Sequence, residues 1–175
     1  MNLPTPPPHP DADTREFWAG CAQGTLLLTR CAACAAVRWY PRSRCPECGG
    51  AEADSFPARG RGTVYSFTIV RRAGGEFAAA VPYVVAYVEL NEGPRILTNI
   101  IGCDPEEVRI GQPVTLKFVT AAGGHSLYRF APDRPAQISA LSGSMTRHGY
   151  AEAPPDALAD PQSGSSPEQR VGQIL

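Results

Sequence analysis

Four cysteines close to the N-terminal end, in the stretch CAACAAVRWYPRSRCPEC, form two CxxC pairs at positions 31, 34, 45 and 48 with ten residues between the pairs. Thiols so spaced can be disulfides, redox dithiols or metal ligands. A thioredoxin-type redox site needs a single CxxC opening a helix, whereas these pairs sit beside strand-like and turn-like sequence, TLLLTRC and CPECGG. Persistent disulfides are disfavoured in the cytoplasm, which is the setting expected here. Thiolates from Cys31, Cys34, Cys45 and Cys48 can surround one tetrahedral zinc ion and leave no position open for water. A closed site of this kind is structural, with a folding contribution on the order of 10–16 kcal/mol in small zinc modules. The centre is formally −2. Arg30, Arg38, Arg42 and Arg44 can offset that charge or, alternatively, hold a ligand.

Other residue types offer less chemistry. His9 and His148 fall in expected tails, and His125 falls in a hairpin loop. Glu106 and Glu107 open a helical turn, where they complement its dipole. Cys103 precedes that turn, a place where a thiol can be acidified. It has no base in sequence reach, so a buried packing role is expected, and an independent enzyme with Cys103 as nucleophile is the weakest reading. Neither a Walker loop nor a dinucleotide glycine motif occurs. No catalytic residue is therefore assigned, and the chain is expected not to be an enzyme on its own. Binding is better supported. Counting by two along a strand puts Tyr65 and Phe67 on one face, with Arg71 and Arg72 at the strand end. That set would suit the bases and phosphates of single-stranded nucleic acid, or the adenine and phosphates of coenzyme A. Alternatively, the aromatics fill the core and the Arg pair is solvated. Trp18, Trp39 and Tyr40 are candidate anchors for a partner protein, or core residues.

The elements that must position these residues follow from pattern. The chain has 175 residues, 43% of them hydrophobic, and a net charge of −1. Near-neutrality argues against general attraction to nucleic acid or membranes. Yet Arg15 to Arg72 holds nine arginines against four acidic residues, so any anion site is expected in the first half. No basic region followed by an apolar run opens the chain, and no apolar run is long enough for a bilayer span; a cytoplasmic protein is expected. Residues 1–12 are Pro-rich and expected to be disordered or extended. DTREFWAGCAQG reads as a helix with Asp13 and Glu16 at capping-box spacing and Gly24 past its end. Phe17, Trp18 and Cys21 share one side of it. Segments 62–72, 82–90 and 94–102 alternate as strands, with NEG as the hairpin turn of the last two. A capped helical turn at 104–112 and two further strands follow, joined by AAGG. Five strands with a short helix between the third and fourth match an OB barrel; an open five-stranded sandwich is the competing fold. From 133 onward, Ser, Gly, Pro and Gln dominate and a disordered tail is expected. The fold class is thus mainly β, divided into a disordered segment 1–12, helix and zinc ribbon 13–58, OB barrel 59–132 and low-complexity tail 133–175.

EFWAGCAQGTLLLTRC, RWYPRSRCPECGG, GRGTVYSFTIVRR, VPYVVAYVEL, GPRILTNIIGCDPEEVRIGQPV and RFAP together resemble, over about residues 14–132, the family once called domain of unknown function 35. The resemblance implies a rubredoxin-like zinc ribbon joined to an OB fold, with zinc on Cys31, Cys34, Cys45 and Cys48. It also implies acyl-CoA association and partnership with thiolase-superfamily enzymes, including acyltransferases and retro-aldolases that shorten steroid side chains. Other members act beside hot-dog-fold hydratases. The expected function is a non-catalytic, zinc-containing subunit of a hetero-oligomer that helps place acyl-CoA for a thiolase-like partner in lipid or steroid metabolism. The alternatives are a single-stranded nucleic-acid binder, which the charge disfavours, and a partner of an enoyl-CoA hydratase. One departure stands out: Ala35 follows the second cysteine where members often have Gly.

Overall fold

A computed structural model describes residues 3–133. Helix α1 (Arg15–Ala22) is followed by three short ribbon strands, β1 (Leu27–Cys31), β2 (Val37–Arg38) and β3 (Ala53–Pro57). Strand β1 is central, paired antiparallel with β2 on one side and β3 on the other. Five longer strands follow: β4 (Arg61–Val70), β5 (Tyr83–Leu90), β6 (Arg95–Ile100), β7 (Pro113–Thr120) and β8 (Ser126–Pro132). They close in the order β4-β5-β6-β8-β7, the order of an OB barrel, which removes the open sandwich. Closure runs through Arg61–Thr63 of β4 against Pro113–Thr115 of β7, and through a parallel pairing of Ile100 with Phe130.

Helix α1 ends as expected and begins differently. The Thr25 N–H reaches the Gly20 carbonyl at 2.8 Å and the Gly24 N–H that of Cys21 at 3.0 Å, a Schellman closure made possible by Gly24 at φ 75°. At the start, Thr14 is the N-cap and its side chain makes no capping bond; it forms a reciprocal pair with Asp11 in the turn before the helix. The Asp11 carboxylate accepts the Thr14 N–H at 2.9 Å, and the Asp11 N–H donates to the Thr14 hydroxyl at 3.0 Å. Asp13 and Glu16 instead tie the helix to the ribbon, accepting from the Ser43 N–H at 3.3 Å and the Ser55 hydroxyl at 3.1 Å. Tertiary partners outcompeted the local box.

Helix, ribbon and barrel share one core. Phe17, Cys21, Leu26 and Leu28 are buried in a cluster with Val64, Val84, Val88, Ile96, Val114 and Phe130 of the barrel. Phe17 is its hinge pin: its ring meets Trp18, Tyr40 and Tyr128 edge-on at centroid distances of 5.1, 5.4 and 5.6 Å. The Pro-rich segment, expected to be disordered or extended, is held against the barrel at Leu3 and Pro4. Leu3 is buried, and the buried Arg129 guanidinium donates to the carbonyls of Leu3 and Pro4 at 3.3 and 2.5 Å. A 3-10 turn at Gly75–Ala80, unmarked by any pattern, precedes β5. The expected turn after Cys103 is a 3-10 turn over Pro105–Glu107, capped by Asp104, whose carboxylate accepts the Glu106 N–H at 2.9 Å. The expected tail lies outside the described residues, save for its first residue, Asp133.

Candidate metal centre

The two CxxC pairs lie in two matching knuckles. One closes after β1, where the Ala35 N–H donates to the Cys31 carbonyl at 2.9 Å and the Cys31 N–H to the Ala36 carbonyl at 3.0 Å. The other repeats both bonds, Gly49 to Cys45 and Cys45 to Gly50, each at 2.8 Å. The residue after each second cysteine must then adopt the left-handed region. Gly49 does so at φ 74°, and Ala35, at φ 59°, does so as a side-chain-bearing residue.

The knuckles bring all four sulfurs within 4.8 Å of one another. Cys31 Sγ lies 3.6 Å from Cys48 Sγ, and Cys34 Sγ lies 3.7 Å from Cys45 Sγ. A tetrahedral zinc ion with Zn–S bonds of about 2.3 Å requires sulfur–sulfur edges of about 3.8 Å. The donor set and its spacing fit zinc. Electrostatics prepare the site for a cation. Backbone N–H groups of Cys34 and Ala33 point at Cys31 and hold its thiol down at about 6. Burial opposes ionisation of Cys45, but the N–H groups of Cys48 and Glu47 outweigh it and keep that thiol below its ordinary value. Cys34 receives the Ala36 N–H but is pushed up to about 12 by the Cys48 sulfur, by burial, and by the sulfurs of Cys45 and Cys31. Four clustered thiols cannot all ionise by themselves; a divalent cation resolves the conflict.

Of the arginines expected to offset the cluster's charge, Arg44 reaches the second knuckle, donating to the Gly49 carbonyl at 3.3 Å. Arg30 instead lies over the Phe56 ring at 5.1 Å. Arg38 is buried in the ribbon.

The expected ligand face is corrected. The pairing of β4 with β5 shifts by one residue between Val64 and Ser66, so Tyr65 is the extra residue of a β-bulge. Tyr65 points outward, while Phe67 packs against the core opposite the buried Ala86. The two aromatics do not share a face. Outside, Tyr65 (46% exposed), Tyr87 (45%) and Leu97 (43%) form an apolar strip across three strands, since Ser66 pairs with Tyr87 and Tyr87 with Leu97. The Arg95 guanidinium caps the Tyr65 ring at 3.4 Å and pairs with Glu89 at 2.8 Å. Counting by two could not find this strip; only the bulge reveals it. Arg71 and Arg72 are exposed, and Arg71 is engaged by Glu106 at 2.6 Å.

Trp18, Trp39 and Tyr40 are half-buried and packed against the core. The Trp18 Nε1–H donates to the Tyr40 hydroxyl at 2.9 Å, and the Trp18 ring stacks on Tyr128 at 5.9 Å. Within the chain these contacts join helix and ribbon to the barrel. Burial pushes Cys21 up to about 12, and burial with nearby Glu107 and Asp104 raises Cys103, which disfavours the thiolate at both. Among the described residues no helix is long and apolar enough to cross a membrane.

A zinc ribbon fused through a shared core to an OB barrel defines the class of protein. Comparison narrows it. Residues 18–53 match the ChsH2 rubredoxin-like zinc ribbon domain, and residues 57–119 match the ChsH2 C-terminal OB-fold domain. A DUF35 domain-containing scaffold protein of Methanothermobacter thermautotrophicus is 38% identical over 96 residues, 53% of this chain and 71% of that protein. The probable enoyl-CoA hydratase alpha subunit of Thermomonospora curvata is 39% identical over 134 residues; the alignment takes in 77% of this chain and only 42% of that protein's length. The benzoylsuccinyl-CoA thiolase subunit BbsA of Thauera aromatica is 33% identical over 89 residues, 47% of this chain and 60% of that subunit. A chain of the solved Ltp2-ChsH2(DUF35) aldolase is 37% identical, with a TM-score of 0.66, covering 72% of this chain and 98% of that one. This chain belongs to the DUF35 family, in its ChsH2-like pairing of zinc ribbon and OB fold.

Proposed function

We propose that this chain is a non-catalytic subunit that assembles with a thiolase-superfamily enzyme, of retro-aldolase or acyltransferase type, and helps place its acyl-CoA substrate. The observation that carries the reading is the match to nearly the whole of a DUF35 chain from a solved aldolase. One zinc on Cys31, Cys34, Cys45 and Cys48 fixes the ribbon at 13–58, and the barrel at 59–132 presents the docking surface. The strip of Tyr65, Tyr87 and Leu97 fits that role better than Trp18, Trp39 and Tyr40, which the chain itself occupies. Tyrosine is enriched in interface cores. Arg71 and Arg72 remain the proposed contacts for CoA.

Co-expression with a thiolase-like protein encoded beside its gene tests this. A stable complex is expected, with turnover that neither protein shows separately. Tyr87→Glu with Leu97→Glu is expected to abolish the complex while leaving the zinc content and melting temperature of the free chain unchanged. Separate elution of the two wild-type proteins, with the enzyme's turnover unaffected, would sink the proposal. The Thermomonospora relative favours a second reading, in which the partner carries enoyl-CoA hydratase chemistry. Hydration of an enoyl-CoA by the isolated complex, with no carbon–carbon cleavage, selects that reading over the first.

A further inference from the structure

The arginine that the zinc cluster does not use sits in a second place of chemical interest. Arg38 ends β2, is 7% exposed, and its Nε and Nη1 are enclosed without any acceptor. Its cross-strand partner on β1 is Thr29, whose hydroxyl is likewise enclosed and unpartnered. Both line a cleft of about 260 Å³ between the start of α1, the ribbon strands and the 41–43 loop. Two adjacent orphaned polar side chains on one cavity wall are not an accident of a loose surface. Two enclosed guanidinium nitrogens without acceptors are costly to bury, which favours an acceptor reaching Arg38 from the cleft.

The protein's own carboxylates do not. Asp13 and Glu16 also line the cleft, but Asp13 accepts from the Ser43 N–H and Glu16 from the Ser55 hydroxyl, and neither forms an ion pair with Arg38. Arg42 brings a second, exposed cation to the rim. The charged lining is therefore two arginines against two carboxylates, neutral in sum. A dianion would meet both acidic groups at full strength. A monoanion with two acceptor oxygens gains the Arg38 donors and the Thr29 hydroxyl at a smaller repulsive cost.

We propose that this cleft is a carboxylate-binding site, distinct from the metal centre and from the outer strip of the barrel, with Arg38 as its principal donor and Thr29 as its second. The carboxylate comes either from a free small acid or from an aspartate or glutamate side chain of another protein. The two sources share one chemistry and differ in what surrounds the carboxylate.

The zinc-loaded chain tests this through the guanidinium itself. The side-chain Nε–H resonance of Arg38 is followed by 15N–1H NMR and assigned by its loss in Arg38→Lys. Titration with acetate, at constant ionic strength against chloride, is expected to shift it saturably. Thr29→Val should weaken that saturation by about tenfold or less, and Arg38→Lys, followed through the Thr29 amide, by about tenfold or more. An acetyl-aspartyl-N-methylamide probe separates the sources: tighter saturation than acetate points to a protein side chain, equal or weaker saturation to a free acid. A saturable response to inorganic phosphate with none to acetate overturns the carboxylate assignment. A resonance that stays in place with every anion shows that water alone satisfies Arg38, and overturns the site. Either failure leaves assembly with a thiolase-like enzyme untouched.

Discussion

Ala35 and Gly49 occupy the same position in two copies of one knuckle, and exchanging their identities measures what the left-handed turn costs. Ala35 is held at φ 59° and Gly49 at φ 74°. An L-residue in that region is disfavoured by about 1–2 kcal/mol. Ala35→Gly removes that strain but returns about 0.4–1 kcal/mol of freedom to the unfolded chain. The Ala35 side chain is exposed, so no packing is lost with its methyl group. The balance is a stabilisation of about 0.5–1 kcal/mol, or a rise in Tm of about 1–4 °C for a chain of this size. Gly49→Ala runs the other way by a similar amount. A Cβ there would meet no atom within 4 Å, so its cost is purely conformational. Thermal and urea denaturation of the zinc-loaded proteins, at fixed free zinc, reads both variants. An Ala35→Gly protein no more stable than the parent, or a Gly49→Ala protein as stable as it, would refute the strain argument.

Chelation of zinc should lower the melting transition further than any single substitution, because the ribbon it holds together shares Phe17 and Leu28 with the barrel core; a melting curve unmoved by chelator would contradict this. Alkaline pH should destabilise the fold in a defined window. The Cys21 thiol is raised from 9.0 to about 12, so its contribution is intact below pH 9 and is lost between 9 and about 12 as the unfolded state alone ionises. The half-buried Tyr128 phenol, raised from 10.0, steepens the loss above pH 10, and Cys21→Ala should flatten the early part of a urea-midpoint series. Trp18→Phe deletes the 2.9 Å bond to Tyr40 and trims the ring that stacks on Tyr128, with an expected loss of about 1–3 kcal/mol by denaturant titration. Leu3→Ala should cost about 2 kcal/mol if burial against the barrel is the segment's main anchor, and under about 0.5 kcal/mol in the same titration would argue for a frayed segment.

Legibility in the sequence tracked locality. Metal-ligand spacing is set within a few residues, so Cys31, Cys34, Cys45 and Cys48 could be read as one cluster. Strand alternation, the NEG turn and the Asp104 cap are equally short-range, and the barrel order followed from them. The failures all involved a competitor distant in sequence. Asp13 and Glu16 have the spacing of a cap, but Ser43 and Ser55 claim them. Leu3 lies in Pro-rich sequence with no periodicity, and its carbonyl is held by Arg129 from the last strand. Arg38 reads as one of several ribbon arginines; only the pairing with Thr29 and the enclosure by α1 set it apart. Tyr65 and Phe67 obey the period of two on paper and break it in space, because a bulge leaves no mark in composition.

The extra residue in β4 also separates two kinds of change open to the barrel. Removing Tyr65 would leave Val64 facing in, Ser66 facing out and Phe67 facing in, an unbroken alternation with every interior neighbour retained. Insertion or deletion of one amino acid here thus adds or discards a large aromatic on the exterior wall without rewriting the lining. Related barrels can therefore acquire different associates by a change of length, while a comparison of their interiors would register nothing.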